Sequence, residues 1–423
     1  MKRLLIGVVG ALVLAGAGLG AMYAIGTRDD TATQVSSVAA GDPPEARIER
    51  GRYLARLGNC AACHTVAGGQ AYAGGTAIPT AFGTLYGPNI SSDPEHGIGS
   101  WTEDDFWQAL HNGKAPDGTL LYPAFPFTEY TRMPRDDADA LFAFLRTVPA
   151  SDQASRPHEL AFPYDQRVLL AFWRALYFKA GTWVADATQS LQWNRGRYLV
   201  EGPAHCAACH TARNSLGATT GGAPLGGAMI DGLGWYAPPL TGDDATGLGQ
   251  WSHADIAALL TTGVSARGAA AGPMVEVVAG STQYLSGEDA DAIAQYLKSL
   301  PAGARANPGA RPSQATMDIG AQRYRQYCAQ CHQANGEGSG TAWPPLAGNL
   351  SVTAPSPINA IRVVLDGGYA PSTAANPRPH GMPPYGQVLN DNDIAALTTY
   401  IRNSWGNEAS AVTSLEVKRA RGQ

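Results

Sequence analysis

Apolar residues recur at helical spacing in three widely separated segments of the chain. In each segment an acidic start is followed by apolar side chains at positions i, i+3 and i+4, which share one face of an α-helix. The pattern predicts three amphipathic helices, each burying one face. The three sets are Leu141, Phe144 and Leu145; Ile293, Tyr296 and Leu297; and Leu397, Tyr400 and Ile401.

A second repeated feature lies well before each of these helices. Short helical segments that contain a glycine and a tyrosine run into a Cys-x-x-Cys-His motif. The first two units also share a Gly-x-Gly-x-Trp step followed by Thr102 or Ser252, with Asp105 or Asp255 three residues on. Hydroxyl N-caps and first-turn acids favour a helix start. The opening pairs are Gly51 and Tyr53, Gly196 and Tyr198, and Gly320 and Tyr324.

This repetition predicts an all-α chain of three tandem domains behind an N-terminal apolar helix. One linker contains RVLLAFWRALYF, an aromatic segment with a helical period. We expect this segment to pack between domains, with a partner protein or the membrane surface as alternative contacts. The predicted domains span residues 47–155, 191–303 and 317–406, with linkers at 156–190 and 304–316 and a polar tail at 407–423.

The N-terminus carries an uncharged, mostly apolar run at residues 4–25, directly after Lys2 and Arg3. A signal-peptide core has about 7–15 apolar residues, whereas a spanning helix needs about 20. Ala15-Gly16-Ala17 would serve as a cleavage site. Residues 1–26 are therefore predicted to be a signal peptide or a retained anchor, followed by a polar linker at 27–46. In either case the bulk of the chain is exported.

Composition excludes two classes of protein. Charged residues make up 15% of the chain, the net charge is −5 and no basic run stands out. Nucleic acid is therefore not an expected partner. All six cysteines fall within the three Cys-x-x-Cys-His motifs, which leaves none for a disulfide scaffold.

The Cys-x-x-Cys-His motif is typical of covalent haem attachment. Two thiols add to the haem vinyl groups as thioethers, and the adjacent histidine becomes an axial iron ligand. A thioredoxin-like dithiol would sit near a βαβ pattern, which the sequence lacks, and a zinc site needs converging pairs of motifs. We therefore predict three covalently bound haems c. Their attachment residues are Cys60, Cys63 and His64; Cys206, Cys209 and His210; and Cys328, Cys331 and His332.

Each unit also has a methionine ahead of its last helix, where a sixth iron ligand is needed. These are Met133, Met274 and Met382. Alternatives are Met229 in the second unit, His111 in the first and His380 in the third. A carbonyl in a downstream proline step would also orient each axial imidazole by accepting its Nδ1–H. The candidates are Pro88, Pro238 and Pro344.

An iron with both axial positions filled has no open site for substrate, oxygen or peroxide. Methionine ligation also raises the iron potential relative to two nitrogen ligands. We therefore predict one-electron transfer and no catalytic residue, which disfavours a haem peroxidase.

The chain resembles the triple-haem cytochrome c subunits of membrane-bound bacterial dehydrogenases for alcohols, aldehydes and sugar acids. The resemblance covers residues 49–407 and rests on stretches such as FGTLYGPNISSDPEHGIGSW, LYPAFPFTEYTRM, GWYAPPL and HGMPPYG. It implies three class I cytochrome c domains with Met133, Met274 and Met382 as axial ligands. The two ends of the chain depart from the family.

The resemblance also implies a function and a location. A catalytic subunit of flavin, quinoprotein or molybdenum type would pass electrons to this chain at the periplasmic face of the cytoplasmic membrane. Ubiquinone or a terminal oxidase would be the acceptor. The alternative is a free-standing multihaem carrier without a dedicated catalytic partner.

Overall fold

The computed structural model describes residues 2–30, 43–219, 222–230, 232–303 and 311–422. The predicted linker residues 31–42 and 304–310 lie outside these ranges. The chain forms two compact units. The first comprises residues 1–55, 63–184 and 214–220, and the second comprises residues 56–62, 185–213 and 221–423.

The first repeat is mainly helical, and a small antiparallel sheet accompanies its helices. The sheet has the order β1-β2-β3, with Ala77 opposite Tyr86 and Gly83 opposite Leu160. The helices are α1 (Lys2–Thr27), α2 (Pro44–Leu57), α3 (Cys60–His64), α4 (Glu103–Asn112), α5 (Phe127–Tyr130), α6 (Arg135–Leu145) and α7 (Leu169–Tyr177). The strands are β1 (Ala77–Thr80), β2 (Gly83–Tyr86) and β3 (Glu159–Leu160).

The second repeat has the same order of helices, with two short hairpins. Its helices are α8 (Leu191–Glu201), α9 (Ala207–His210), α10 (His253–Thr262), α11 (Pro273–Gly280) and α12 (Gly287–Ser299), with a 3₁₀ turn at Thr282–Tyr284. Its strands are β4 (Ala228–Ile230), paired with β5 (Trp235–Ala237), and β6 (Val264–Ser265), paired with β7 (Gly268–Ala269).

The third repeat lies in the second unit and has one two-residue hairpin. Its helices are α13 (Gln314–Tyr327), α14 (Ala329–His332), α15 (Leu350–Thr353), α16 (Ile358–Asp366), α17 (Asp391–Arg402) and α18 (Ser414–Arg421). Its strands are β8 (Gly368–Tyr369) and β9 (Gly381–Met382). The helical prediction holds for all three repeats, and the short hairpins are an addition to it.

The predicted helix starts are formed by reciprocal capping. The Thr102 hydroxyl accepts the Asp105 N–H at 3.1 Å, and the Asp105 carboxylate accepts the Thr102 N–H at 2.8 Å. Ser252 and Asp255 repeat the exchange, with both contacts at 3.0 Å. Two otherwise unpaired backbone donors are satisfied at each start. The predicted N-caps of α4 and α10 are therefore confirmed.

The opening and closing helices of each repeat cross at a glycine. A Cβ on Gly196 in α8 would lie 1.9 Å from the Ala292 carbonyl oxygen in α12. Gly51 meets the Ala140 carbonyl and Gly320 meets the Ala396 carbonyl in the same way, at 1.8 and 2.3 Å. The repeated glycine therefore permits the close helix crossing on which each repeat is built.

We expect Gly196→Val to destabilise the second repeat by about 3 kcal/mol, the upper end of the usual cost of overpacking. The added side chain must push α8 away from the Ala292 carbonyl. Denaturant unfolding of the haem-loaded chain measures the loss. Gly287→Ala in α12 is the matched control, because nothing lies within 4 Å of its Cβ position. Equal stability of the two variants would contradict the crossing argument.

The C-terminal residues 407–423, predicted to be a polar tail outside the third domain, are not a free tail. They contain α18, whose Val417 is fully buried in the apolar core of that domain together with Leu397 and Ile401. The prediction was wrong because the polar residues of α18 hide one apolar face. Helix α13 of the third domain starts at the N-cap Ser313.

Buried Arg402 connects this C-terminal segment to the domain. Its guanidinium donates to the carbonyls of Val352, Ala354 and Ser410 and to the Ser410 hydroxyl. Burial lowers the pKa of Arg402 to about 10. One side chain thus pairs several buried carbonyls that would otherwise lack a donor.

Replacement of Arg402 by Met should therefore cost about 3 kcal/mol of stability, since buried polar groups left unpaired cost about 1–3 kcal/mol each. The third domain is expected to unfold at lower denaturant concentration. The control Arg419→Met removes an exposed arginine from α18. A wild-type unfolding midpoint for Arg402→Met would overturn this assignment.

The predicted apolar N-terminal helix is α1, and it packs on the aromatic helix α7. The closest approach is at Gly26, where a Cβ would lie 1.6 Å from the Ala171 carbonyl oxygen. The rings of Tyr23 and Phe172 are 6.2 Å apart. Helix α7 therefore has α1 as a partner within the first unit. Within the described ranges, no helix combines the length and apolar character needed to cross a membrane.

Candidate haem sites

Each motif histidine donates a hydrogen bond to the proline carbonyl predicted for it. His64 Nδ1 lies 2.7 Å from the Pro88 oxygen, and His210 Nδ1 lies 2.7 Å from the Pro238 oxygen. His332 Nδ1 lies 3.0 Å from the Pro344 oxygen. A carbonyl only accepts, so Nδ1 carries the proton and the Nε2 lone pair is directed to the other side of the ring. The prediction of three orienting prolines is confirmed.

The surroundings of these rings favour the neutral form. Burial lowers the pKa of His64, His210 and His332 below the ordinary value, and the hydrogen bond to the proline carbonyl partly opposes this shift. A metal-binding imidazole must be neutral at the ligating nitrogen. All three rings therefore have the tautomer and charge that an axial iron ligand requires.

The cysteines lie on short helical turns immediately before these histidines. In the second motif, α9 begins directly after Cys206 and ends at His210. Burial raises the pKa of Cys206 and of Cys328 to about 12. Redox dithiols instead lower their thiol pKa to expose a thiolate. Cys206 and Cys328 therefore lack the lowered thiol pKa of a thioredoxin-like pair.

A structural zinc site is likewise not formed by the described residues. Within those ranges no group of three or more His, Cys, Asp and Glu side chains converges to hold a metal ion. The three motifs instead occur singly, one in each repeat.

A glycine that the sequence analysis missed completes each site. The Gly74 N–H donates to the His64 carbonyl at 2.8 Å, the Gly227 N–H to the His210 carbonyl at 2.8 Å, and the Gly338 N–H to the His332 carbonyl at 3.1 Å. Each of these glycines has a positive φ, between 67° and 84°. A Cβ on Gly74 would also lie 2.6 Å from the Pro88 carbonyl carbon.

These glycines therefore connect the histidine backbone to the proline step. Only glycine combines the positive φ with such a close approach at low cost. The available sequence signal was the glycine-rich stretch that follows each motif, GG at 74–75 and 226–227 and GEGSG at 336–340.

Among the predicted sixth ligands, Met133 is the most deeply buried. It is 1% exposed and lies in the turn between α5 and α6, as the sequence predicted. Its backbone N–H donates to the Tyr130 carbonyl at 2.8 Å. The side chain is thus held inside the first domain, where a thioether ligand would be shielded from water.

In the second repeat, burial favours Met274 over Met229. Met229 lies on β4 and is 46% exposed, whereas Met274 is half-buried. Met274 lies in the first turn of α11, ahead of the last helix α12 of the repeat. The Trp235 ring covers the preceding Gly272, where a Cβ would lie 2.5 Å from the indole.

In the third repeat, Met382 is better placed than His380. Met382 lies on β9 opposite Gly368 and packs against the apolar core of the domain. His380 is exposed, with its ring 5.6 Å from that of Trp343. The assignment of Met133, Met274 and Met382 as iron ligands stays a prediction that these positions favour.

His111, the alternative ligand in the first repeat, is fully buried. Its Nδ1 lies 2.8 Å from the Thr131 carbonyl oxygen and its Nε2 lies 3.2 Å from Asp30 Oδ2. Both ring nitrogens already have protein partners. His111 is thus occupied by a structural role.

The residues fit a covalently attached haem in all three repeats. Each repeat has two thiols on a helical turn and an imidazole oriented by a carbonyl, and each also contains a methionine in a partly or fully buried position. The family profile of cytochrome c matches residues 48–149, 194–301 and 317–405. The chain belongs to the cytochrome c family, whose members bind haem c covalently.

Three relatives resemble the chain over most of its length. It is 40% identical to the cytochrome c subunit of alcohol dehydrogenase (quinone) from Gluconobacter oxydans (strain 621H), over 90% of this chain and 84% of the relative. It is 38% identical to the gluconate 2-dehydrogenase cytochrome c subunit of Pantoea cypripedii, over 91% of this chain and 92% of the relative. It is also 38% identical to the fructose dehydrogenase cytochrome subunit of Gluconobacter japonicus, over 88% of this chain and 82% of the relative. The resemblance inferred from the motifs is confirmed, and the chain is an electron-transfer cytochrome rather than a catalytic subunit.

Proposed function

We propose that this protein is the electron-transfer subunit of a membrane-bound dehydrogenase complex and carries three haems c, one in each repeat. The main support is the threefold recurrence of one site in a single chain, with its two thiols, its proline-oriented histidine and its methionine. Relatives of similar length are cytochrome subunits of dehydrogenases. Three one-electron sites in one chain would allow the subunit to carry electrons from the dehydrogenase to an acceptor.

The residues have distinct tasks in this proposal. The cysteine pairs would hold each haem by two thioethers, and His64, His210 and His332 would bind the iron through Nε2. Met133, Met274 and Met382 would supply the second iron ligand and exclude exogenous ligands. The haem supplies the one-electron iron couple, and the protein supplies orientation and the surroundings that set its potential.

The proposed location is the periplasmic face of the cytoplasmic membrane. The support is the uncharged run at residues 4–25 behind Lys2 and Arg3, which would direct export of the chain. Ubiquinone or a terminal oxidase is the proposed acceptor of the electrons.

The donor is proposed to be a catalytic dehydrogenase subunit of flavin, quinoprotein or molybdenum type. The named relatives serve enzymes for an alcohol, for gluconate and for fructose. By analogy with them, the proposed substrate of the partner is an alcohol or a sugar derivative. A free-standing carrier, which has no dedicated partner, is the alternative.

Isolation from native membranes separates these two functions. Membranes are solubilised in several mild detergents, the chain is captured and its companions are identified by mass spectrometry. We expect a stoichiometric dehydrogenase, whose cofactor then narrows the substrate. A cytochrome that comes away alone under every mild condition would contradict the dedicated subunit and favour the free carrier.

A further inference from the structure

The last residues of α1 and the three residues that follow it are attached to the first domain by four side chains. Arg174 Nε donates to the Gly26 carbonyl at 2.7 Å, and Lys114 Nζ donates to the Thr27 carbonyl at 3.1 Å and pairs with Asp29. The Asp30 N–H donates to Asn112 Oδ1 at 3.1 Å. These contacts fix the Asp30 backbone beside His111, the fourth attachment.

His111 connects this segment to the turn that carries Met133. Its Nε2 lies 3.2 Å from Asp30 Oδ2, and its Nδ1 lies 2.8 Å from the Thr131 carbonyl oxygen and 3.4 Å from the Thr131 hydroxyl oxygen. Trp107 stacks on the ring at 4.5 Å with an interplanar angle of 11°, which removes most of its rotational freedom. The ring is therefore held between the Asp30 carboxylate on one side and Thr131 on the other.

Thr131 is two residues before Met133, and both are almost completely buried. The Thr131 hydroxyl accepts the Gly181 N–H at 3.1 Å, which ties the turn to the stretch after α7 as well. A shift of the Thr131 carbonyl would therefore be transmitted to Met133 over two peptide bonds. The buried hydrogen bond between His111 Nδ1 and the Thr131 carbonyl therefore helps to hold the turn in place.

The other comparable repeat lacks this arrangement. When α4 and α10 are aligned on their N-caps Thr102 and Ser252, the residue at the His111 position is Thr261. The Thr261 hydroxyl donates to the Ala257 carbonyl within its own helix at 2.7 Å. The link from an N-terminal carboxylate to the methionine turn is thus a property of the first domain.

We propose that Asp30 is a positioning residue for the sixth iron ligand of the first domain, acting through His111 and the Thr131 carbonyl on Met133. This inference rests on the proposed ligation of iron by Met133. It requires that the exported protein keeps residue 30, so processing at Ala15-Gly16-Ala17 is compatible with it and processing after residue 30 is not.

The test compares Asp30→Ala and Asp30→Asn in the full-length, haem-loaded chain. Redox titration gives the potential of each haem, and the charge-transfer band of ferric methionine–haem ligation reports the bond itself. In Asp30→Ala we expect the potential of one haem to fall. The intensity of the charge-transfer band should decrease by at most the contribution of one haem. Asp30→Asn keeps an acceptor and should lie between this variant and wild type.

Two controls make the result decisive. Asp117→Ala removes the same charge from an exposed turn of the same domain and should leave every potential unchanged. Met133→Ala tests whether Met133 is an iron ligand at all. If this variant changes neither the charge-transfer band nor any potential, Met133 is not the ligand. If Met133→Ala shifts one haem while both Asp30 variants match wild type, only the positioning role is overturned. Should Asp30→Ala fail to fold, Asp30→Asn alone decides by the same readings.

Discussion

Replacement of both cysteines of one motif, as in Cys206→Ala with Cys209→Ala, is expected to reduce the covalent haem content from three to two. Thioether attachment needs the thiols themselves, and no other cysteine is available, because all six lie within the three motifs. The mass of the denatured chain and its haem absorbance measure the loss directly. Substrate-driven reduction of the acceptor should fall to background if the second domain is an obligatory step of the relay.

The same pair of substitutions in the first or third motif provides the comparison. Each should remove one haem, and the three double variants should differ only in which redox transition disappears. A matched control is Met229→Leu in the second repeat, which changes an exposed side chain on β4. If a double variant kept its full covalent haem content, covalent attachment through that motif would be contradicted.

Substitution of each predicted axial methionine should lower the potential of one haem by on the order of a few hundred mV. Axial ligands set haem potentials over about 0.8 V, and thioether ligation lies towards the high end. Met133→Ala, Met274→Ala and Met382→Ala should therefore each shift a different transition and open one iron to carbon monoxide. Redox titration and carbon monoxide difference spectra make the two measurements.

The second repeat gives the clearest test of ligand assignment, because it contains two candidate methionines. Met274→Ala is expected to shift one potential, whereas Met229→Ala should leave all of them unchanged. The reverse result would move the ligand to β4 and would show that the burial of Met274 has another purpose. His380→Ala provides the same comparison for Met382 in the third repeat.

Much of this site could be predicted because its parts are local and repeated. The motif turn, the N-caps and the proline step each lie within a short stretch, and recurrence in three units separates signal from chance. The orienting carbonyls of Pro88, Pro238 and Pro344 could be predicted from the sequence for that reason. A single copy would have left each of them as one proline among 29.

The features that were missed depend on contacts between distant residues. The burial of His111 arises from Asp30 and Thr131, which lie in other parts of the chain, and no spacing rule connects them. The sequence of α18 predicts a polar tail because Val417 and Ala420 are its only buried residues. Such one-sided packing is decided by the neighbouring helices α16 and α17 rather than by composition.

The central claim, an electron relay from a dehydrogenase through this chain, is tested most directly by rapid mixing of the isolated complex with the substrate of its catalytic subunit, without oxygen. Substrate addition is expected to produce the full reduced-haem spectrum at a rate at least equal to turnover. If the substrate is oxidised while the spectrum stays that of the oxidised protein, the chain is not on the electron path and the account is contradicted.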